Sequence, residues 1–193
     1  GKDSMSGTFN DISVPPTLVA FAVTAENVNH IVSQEFKRTD SDVVYIPLKR
    51  DPYDLPDFDN LKTNFETIHH LMKKGKVLAA YAVTNGGIAE AISKMSFGNK
   101  IGFVFTGEFN PEKLFAPDYG SIILEISKDN NLNELFEGIH YELLGYTQQD
   151  ETIKINKNEI ELDEVIRYWE KPLETIFPTK TEETVKQPEA YTY

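Results

Sequence analysis

The chain of 193 residues carries 19 Lys and Arg against 31 Asp and Glu, a formal net charge of −12, with four His and no Cys. Phosphate neutralisation needs clustered cations, so this balance argues against nucleic acid and anionic membrane surfaces as partners. Without cysteine the chain has no disulfide, no thiolate metal site and no cysteine nucleophile.

The hydrophobic fraction is 40% and the aromatic fraction 11%, enough to build a globular core. Residues 17–24, Thr-Leu-Val-Ala-Phe-Ala-Val-Thr, form a nearly continuous apolar run after Pro15 and Pro16, the pattern of a strand buried on both faces. A second strand is predicted over 42–48, with Pro47 placing its end at a sheet edge. The following segment is rich in turns and holds Asp51, Asp54, Asp57 and Asp59, of which Asp57 or Asp59 is placed to cap the next helix. That helix shows Leu61, Phe65, Ile68 and Leu71 as one apolar stripe and closes at Gly75.

A strand rich in small residues at 78–83 runs through Thr84-Asn85-Gly86-Gly87 into a helix over 88–97, whose apolar face is Ile88, Ile92 and Met95. A strand at 101–105 follows, then Asn110 as a cap with Pro111 at the first helical position. Residues 121–126 read as a strand, 131–136 as a helix and 141–146 as a strand. A hairpin is expected from 152–156 and 159–161, joined across Lys157 and Asn158. The last helix carries Leu162, Val165, Ile166 and Trp169, and Pro172 breaks it. Alternating strands and helices interrupted by a hairpin predict an α+β fold, a mixed sheet covered by helices in α/β/α layers.

Little in the chain carries chemistry alone. His69 and His70 are neighbours, about 100° apart on a helix, and cannot share a metal; the other histidines are His30 and His140. The aspartates at 51–59 lack the spacing of a calcium loop. No nucleophile elbow, Walker loop or dinucleotide-binding glycine pattern is present. The Thr84–Gly87 stretch is the exception, because glycines before a helix let backbone approach a ligand and the free N–H groups of a helix start favour an anion. No apolar run approaches the ~18 residues of a membrane span and no signal peptide opens the chain, so a cytoplasmic protein is expected. Gly1 is either native or left by tag removal, and the polar stretch 178–193 reads as a linker.

Three segments taken together resemble a known family. These are Gly1-Lys-Asp-Ser-Met-Ser6 leading into Val14-Pro-Pro-Thr-Leu-Val-Ala-Phe-Ala22, then Asp59-Asn-Leu-Lys-Thr-Asn-Phe65, then Ala82-Val-Thr-Asn-Gly-Gly-Ile88. Leu114-Phe-Ala-Pro-Asp-Tyr-Gly120 and the helix holding Trp169 agree more loosely. The order is similar to that of the large form of phosphoribosylformylglycinamidine synthase, in the aminoimidazole ribonucleotide synthetase superfamily. The resemblance implies that 1–13 ends a preceding synthetase lobe, 14–177 is the carboxy-terminal lobe, and 178–193 leads toward a glutaminase domain. It implies a ligase using ATP and glutamine to convert formylglycinamide ribonucleotide to formylglycinamidine ribonucleotide in purine synthesis, with the fragment inactive by itself. ATP or ADP and Mg2+ would serve the intact enzyme, and the partners would be the other synthetase lobes and the glutaminase domain of the same polypeptide.

Carried over by position, the family's nucleotide turn falls on Thr84, Gly86 and Gly87, where Thr84 keeps the hydroxyl of the usual Ser. The family's metal-binding Asp falls on Ala82, which has no oxygen to offer, so no metal ligand is expected from this chain. Lys2 and Ser4 would line the substrate site. The same lobe in a thiamine monophosphate kinase or a selenophosphate synthetase, or a non-enzymatic binding module, are the competing expectations.

Overall fold

The computed structural model describes residues 1–180, with Lys2 and Phe9 described by backbone alone. The chain divides into two compact units, Gly1–Ile31 and a second that begins at Val32.

The first unit is an antiparallel ribbon of β1 (Lys2–Phe9) and β2 (Ile12–Ala20), reversed at Asn10, whose φ is +50°. The register slips between Met5 and Gly7, and the Gly1 ammonium and Phe21 carbonyl close the open end at 2.9 Å. Pro15 and Pro16 sit inside β2, where a strand with an unpaired side tolerates missing donors. The expectation of a strand over 17–24 buried on both faces does not hold. The strand ends at Ala20 and every residue of β2 is exposed. The apolar run states only a preference for burial, and a two-stranded ribbon has no second layer of its own to satisfy it.

The second unit holds β3 (Ser41–Ile46), α1 (Phe58–Lys73), β4 (Val77–Ala82), α2 (Gly87–Phe97), β5 (Gly102–Phe105), α3 (Pro111–Phe115), β6 (Ile122–Ser127), α4 (Leu132–Leu135), β7 (Glu142–Gln148), β8 (Thr152–Ile155), β9 (Asn158–Glu161) and α5 (Leu162–Glu170). Its seven strands form one sheet in the order β4-β6-β3-β7-β5-β8-β9. The β5–β8 pair is parallel and the rest are antiparallel, so the sheet is mixed, as expected. Side chains alternate across the pleat. Val43, Tyr45 and Ile123 point into one core with Ile88, Ile92 and Met95 of α2 and Leu162 of α5. Val44, Ile46 and Leu124 point into the other with Ile68 and Leu71 of α1 and Leu132 of α4. Helices therefore cover both faces.

Three local expectations are corrected. β3 is internal to the sheet, between β6 and β7, and Pro47 lies just past its end rather than at an edge. A proline beyond the last ladder bond removes no donor the sheet needs. On α1 the buried positions are Asn64, Ile68 and Leu71, whereas Phe65 is 44% exposed and Leu61 half-buried. The helix face includes Asn64 because its amide donates to the Pro47 carbonyl at 3.2 Å, satisfying a group that would otherwise be stranded. The β8–β9 reversal lies at Asn156 and Lys157, with Asn156 at φ +51°.

The helix starts follow their capping residues. Asp57 accepts from the Asn60 N–H at 3.0 Å and opens α1. Asn110 accepts from the Glu112 N–H at 3.0 Å and opens α3, with Pro111 at its first position. α5 stops at Glu170, before Pro172.

Candidate functional site

The turn from β4 to α2 brings three of the expected residues together. Gly87 adopts φ +68° and its N–H donates to the Thr84 carbonyl at 3.2 Å, closing the turn. A Cβ at Gly87 would stand 2.5 Å from the Leu114 carbonyl oxygen and 2.6 Å from that of Ala116, so the close approach of α3 also demands glycine. At Gly86 a Cβ would stand 2.5 Å from the Cβ of Glu90.

Glu90, one turn into α2, is the residue that sequence reasoning missed. Its Oε2 accepts from the Thr84 hydroxyl and from the Gly86 N–H, both at 2.9 Å. Its Oε1 accepts from the Lys94 ammonium at 2.6 Å. The Lys94 hydrogen bond is the main cause that holds the Glu90 carboxyl below its usual range, aided by Thr84 and Gly86 against a partial desolvation. Glu90 in turn raises the Lys94 ammonium above its usual value. The available signal was an acid in the first turn of a helix, where the macrodipole favours negative charge. The anion that the glycine turn invites is thus supplied by the chain itself.

Ala82 ends β4 and presents a methyl group. Asp118 comes near by its backbone, its N–H donating to the Thr84 carbonyl at 3.2 Å. Its carboxylate accepts from the Tyr45 hydroxyl and faces Arg50 at 3.8 Å. Burial is the main cause that drives the Tyr45 hydroxyl pKa upward, with the Asp118 bond acting the same way. Ser4 lies exposed on β1, its N–H bonded to the Asp3 carboxylate at 2.8 Å, and Lys2 is the first residue of that strand. Both belong to the first unit, and the turn residues belong to the second. Among the described residues no three His, Asp or Glu side chains converge as a metal site, and no helix is long and apolar enough to cross a membrane.

Beside the turn opens a cleft of about 910 Å³. Ile92, Phe105, Phe109, Leu114, Phe115 and Ile155 give it an apolar wall, and Thr84, Asn85 and Glu90 connect it to the turn. Asn156 fixes one side by exchanging two hydrogen bonds of 3.1 Å with the Phe109 backbone.

No family model matches the chain. It is 34% identical over 118 residues to phosphoribosylformylglycinamidine synthase subunit PurL of Pelagibacter ubique, an alignment covering 56% of this chain and 16% of that protein. It is 27% identical over 189 residues to the subunit of the same name from Picrophilus torridus, covering 85% of this chain and 24% of the relative. The chain therefore spans about a sixth to a quarter of the length of these relatives. PurL of Thermotoga maritima shares the fold. The structure of PurLQS from that organism matches with a TM-score of 0.60 at 14% identity, over 71% of this chain and 28% of that one. Its complex with ATP matches with a TM-score of 0.56 at 13% identity, over 70% of this chain and 27% of that one. In sequence the chain is similar to the PurL subunits of phosphoribosylformylglycinamidine synthase, and its mixed sheet with helices is similar to the fold of Thermotoga PurL.

Proposed function

We propose that the chain serves as the carboxy-terminal lobe of the synthetase region of phosphoribosylformylglycinamidine synthase, a cytoplasmic enzyme of purine synthesis. The observation that carries this reading is the alignment with the Picrophilus PurL subunit over 85% of the chain, on a fold shared with PurL. The whole enzyme would join nitrogen from glutamine to formylglycinamide ribonucleotide at the expense of ATP. Residues 1–13 would end a preceding lobe, 14–177 form this one, and 178–193 lead toward a glutaminase domain of the same polypeptide; 181–193 lie outside the described residues. Lys2 and Ser4 would face the substrate, and Thr84, Gly86 and Gly87 the nucleotide.

The turn suits a phosphate only in part. Two of its donors, the Thr84 hydroxyl and the Gly86 N–H, already serve Glu90, so a phosphate taking them must displace that carboxylate. A magnesium ion does not fit: Ala82 offers no oxygen, and Glu90 is held by Lys94. No step is assigned to a metal bound by this lobe. The phosphoryl transfer itself needs metal ligands and a substrate cradle, so the isolated chain is expected to be inactive.

A chimera tests the reading. This chain replaces the aligned segment of the Pelagibacter subunit, and phosphate release is followed with formylglycinamide ribonucleotide, ATP and ammonia. Activity within tenfold of the parent is expected. A chimera that folds, by its thermal transition, yet releases no substrate-dependent phosphate would exclude the role.

A further inference from the structure

Beyond Thr84 and Gly86 of the β4–α2 turn, the cleft has an apolar wall that the proposed role leaves unused. Its wall is built from Ile92 of α2, Phe105 of β5, Leu114 and Phe115 of α3, and Ile155 of β8. Ile92, Phe105 and Leu114 are buried while Phe115 is 65% exposed, so the wall runs from the core out to solvent. At about 910 Å³ the cleft falls within the range of small-molecule sites, roughly 300–1,000 Å³. Phe105 meets Phe109 edge to face at 4.9 Å.

The charges of the lining are all of one sign. Glu90 and Glu159 are its two charged residues, and neither Lys nor Arg lines it. Both carboxylates are fixed: Glu90 by Thr84, Gly86 and Lys94, and Glu159 by the Thr152 hydroxyl at 3.0 Å and Lys154 at 3.2 Å. An anion entering here would lose its hydration and compete with two carboxylates for Lys94 and Lys154, the cations already paired to them. An uncharged ring would bury apolar surface, with the Asn85 and Asn158 amides to hydrogen-bond its polar edge.

We propose that this cleft binds a small, uncharged aromatic ligand, and that Glu90, held across the turn by Thr84 and Gly86, excludes anionic ligands of the same shape. The binding is expected whether or not the chain serves in a synthetase.

Two fluorescent probes with the same ring system separate shape from charge: N-phenyl-1-naphthylamine, which is neutral, and 8-anilinonaphthalene-1-sulfonate, which is anionic. With the 193-residue chain, the neutral probe should bind saturably at one site, and the anionic probe about fivefold or more weaker, because like charges oppose it. Ser93 lines the cleft from α2, and Ser93→Trp should fill it and abolish neutral-probe binding with the thermal transition kept. Phe115→Ser, at an exposed position, should weaken binding without loss of folding. Glu90→Gln should bring the two affinities together. Equal affinities for the two probes in the unaltered chain would overturn the proposal, as would neutral-probe binding unchanged by both Ser93→Trp and Phe115→Ser. Self-association abolished by Ser93→Trp, with no probe bound, would make the cleft an interface between copies and overturn it too.

Discussion

Glu125 sits in the middle of β6 with no exposed surface, between Leu124 and Ile126 along the strand. Its carboxylate accepts from the backbone N–H groups of Lys37 at 2.7 Å and Arg38 at 3.0 Å, and so ties the segment before β3 to the sheet. Burial is the main cause that raises its pKa above the usual 4.5, and the two backbone bonds oppose that shift without cancelling it. The sign of the pH effect follows. A raised native pKa means that the folded state keeps a proton the unfolded chain has released, so this contribution is full below about 4.5 and is lost as pH rises through the native value. Glu125→Gln keeps the size but has one acceptor oxygen for two donors, and should cost about 1–3 kcal/mol. Because the amide does not titrate, the gap between variant and parent in urea unfolding should narrow from pH 4.5 to 7. A gap that widens over that range would contradict the assignment. At this scale the sequence was partly readable. The strand around Glu125 is plain from its apolar neighbours, but its partners lie 88 and 87 residues away and leave no local trace. The same holds for Glu90, whose meaning depends on a turn geometry that Gly86 and Gly87 only hint at.

Among the elements, the starts and stops were the most legible because each is a local hydrogen-bonding problem. Asp57, Asn110 and Pro111 announced α1 and α3, and the Gly86-Gly87 pair announced α2. Faces and edges were less so. Whether β3 is an edge strand, or which side of α1 is buried, depends on what packs there, as Asn64 and Pro47 illustrate. Two glycines with the same backbone conformation allow local strain to be separated from packing. Gly75, just past α1, has φ +65° and open space around it, whereas Gly87 has φ +68° and two carbonyl oxygens of the α3 segment against it. Gly75→Ala meets only the left-handed penalty and should cost about 1–2 kcal/mol. Gly87→Ala adds a backbone clash that no rotamer relieves, and should cost about 2–4 kcal/mol, read from urea midpoints at constant m. Equal costs at the two sites would mean that α3 gives way and does not pin the turn.

For the molecule as a whole, alternation of strands and helices with one hairpin was enough to foresee a mixed sheet under helices. The strand order β4-β6-β3-β7-β5-β8-β9 was not foreseeable, since only the β8–β9 contact joins neighbours in sequence. The division into units was hidden as well, because the apolar run at 17–24 looks like core. Both hydrophobic cores draw their residues from Val32 onward, and β2 contributes none. The first unit instead exposes large apolar side chains, with Leu18 70%, Val23 91% and Val28 76% accessible. A chain cut to begin at Val32 should therefore unfold cooperatively, with a stability within about 1 kcal/mol of the parent, since both hydrophobic cores are built from residue 32 onward. It should also be more soluble, because it sheds an apolar surface of the kind that promotes association. Urea unfolding followed by circular dichroism, with sedimentation at rising concentration, measures both quantities. A loss of several kcal/mol on truncation would show that the ribbon supports the sheet, and residues 1–31 would then count as part of one folding unit.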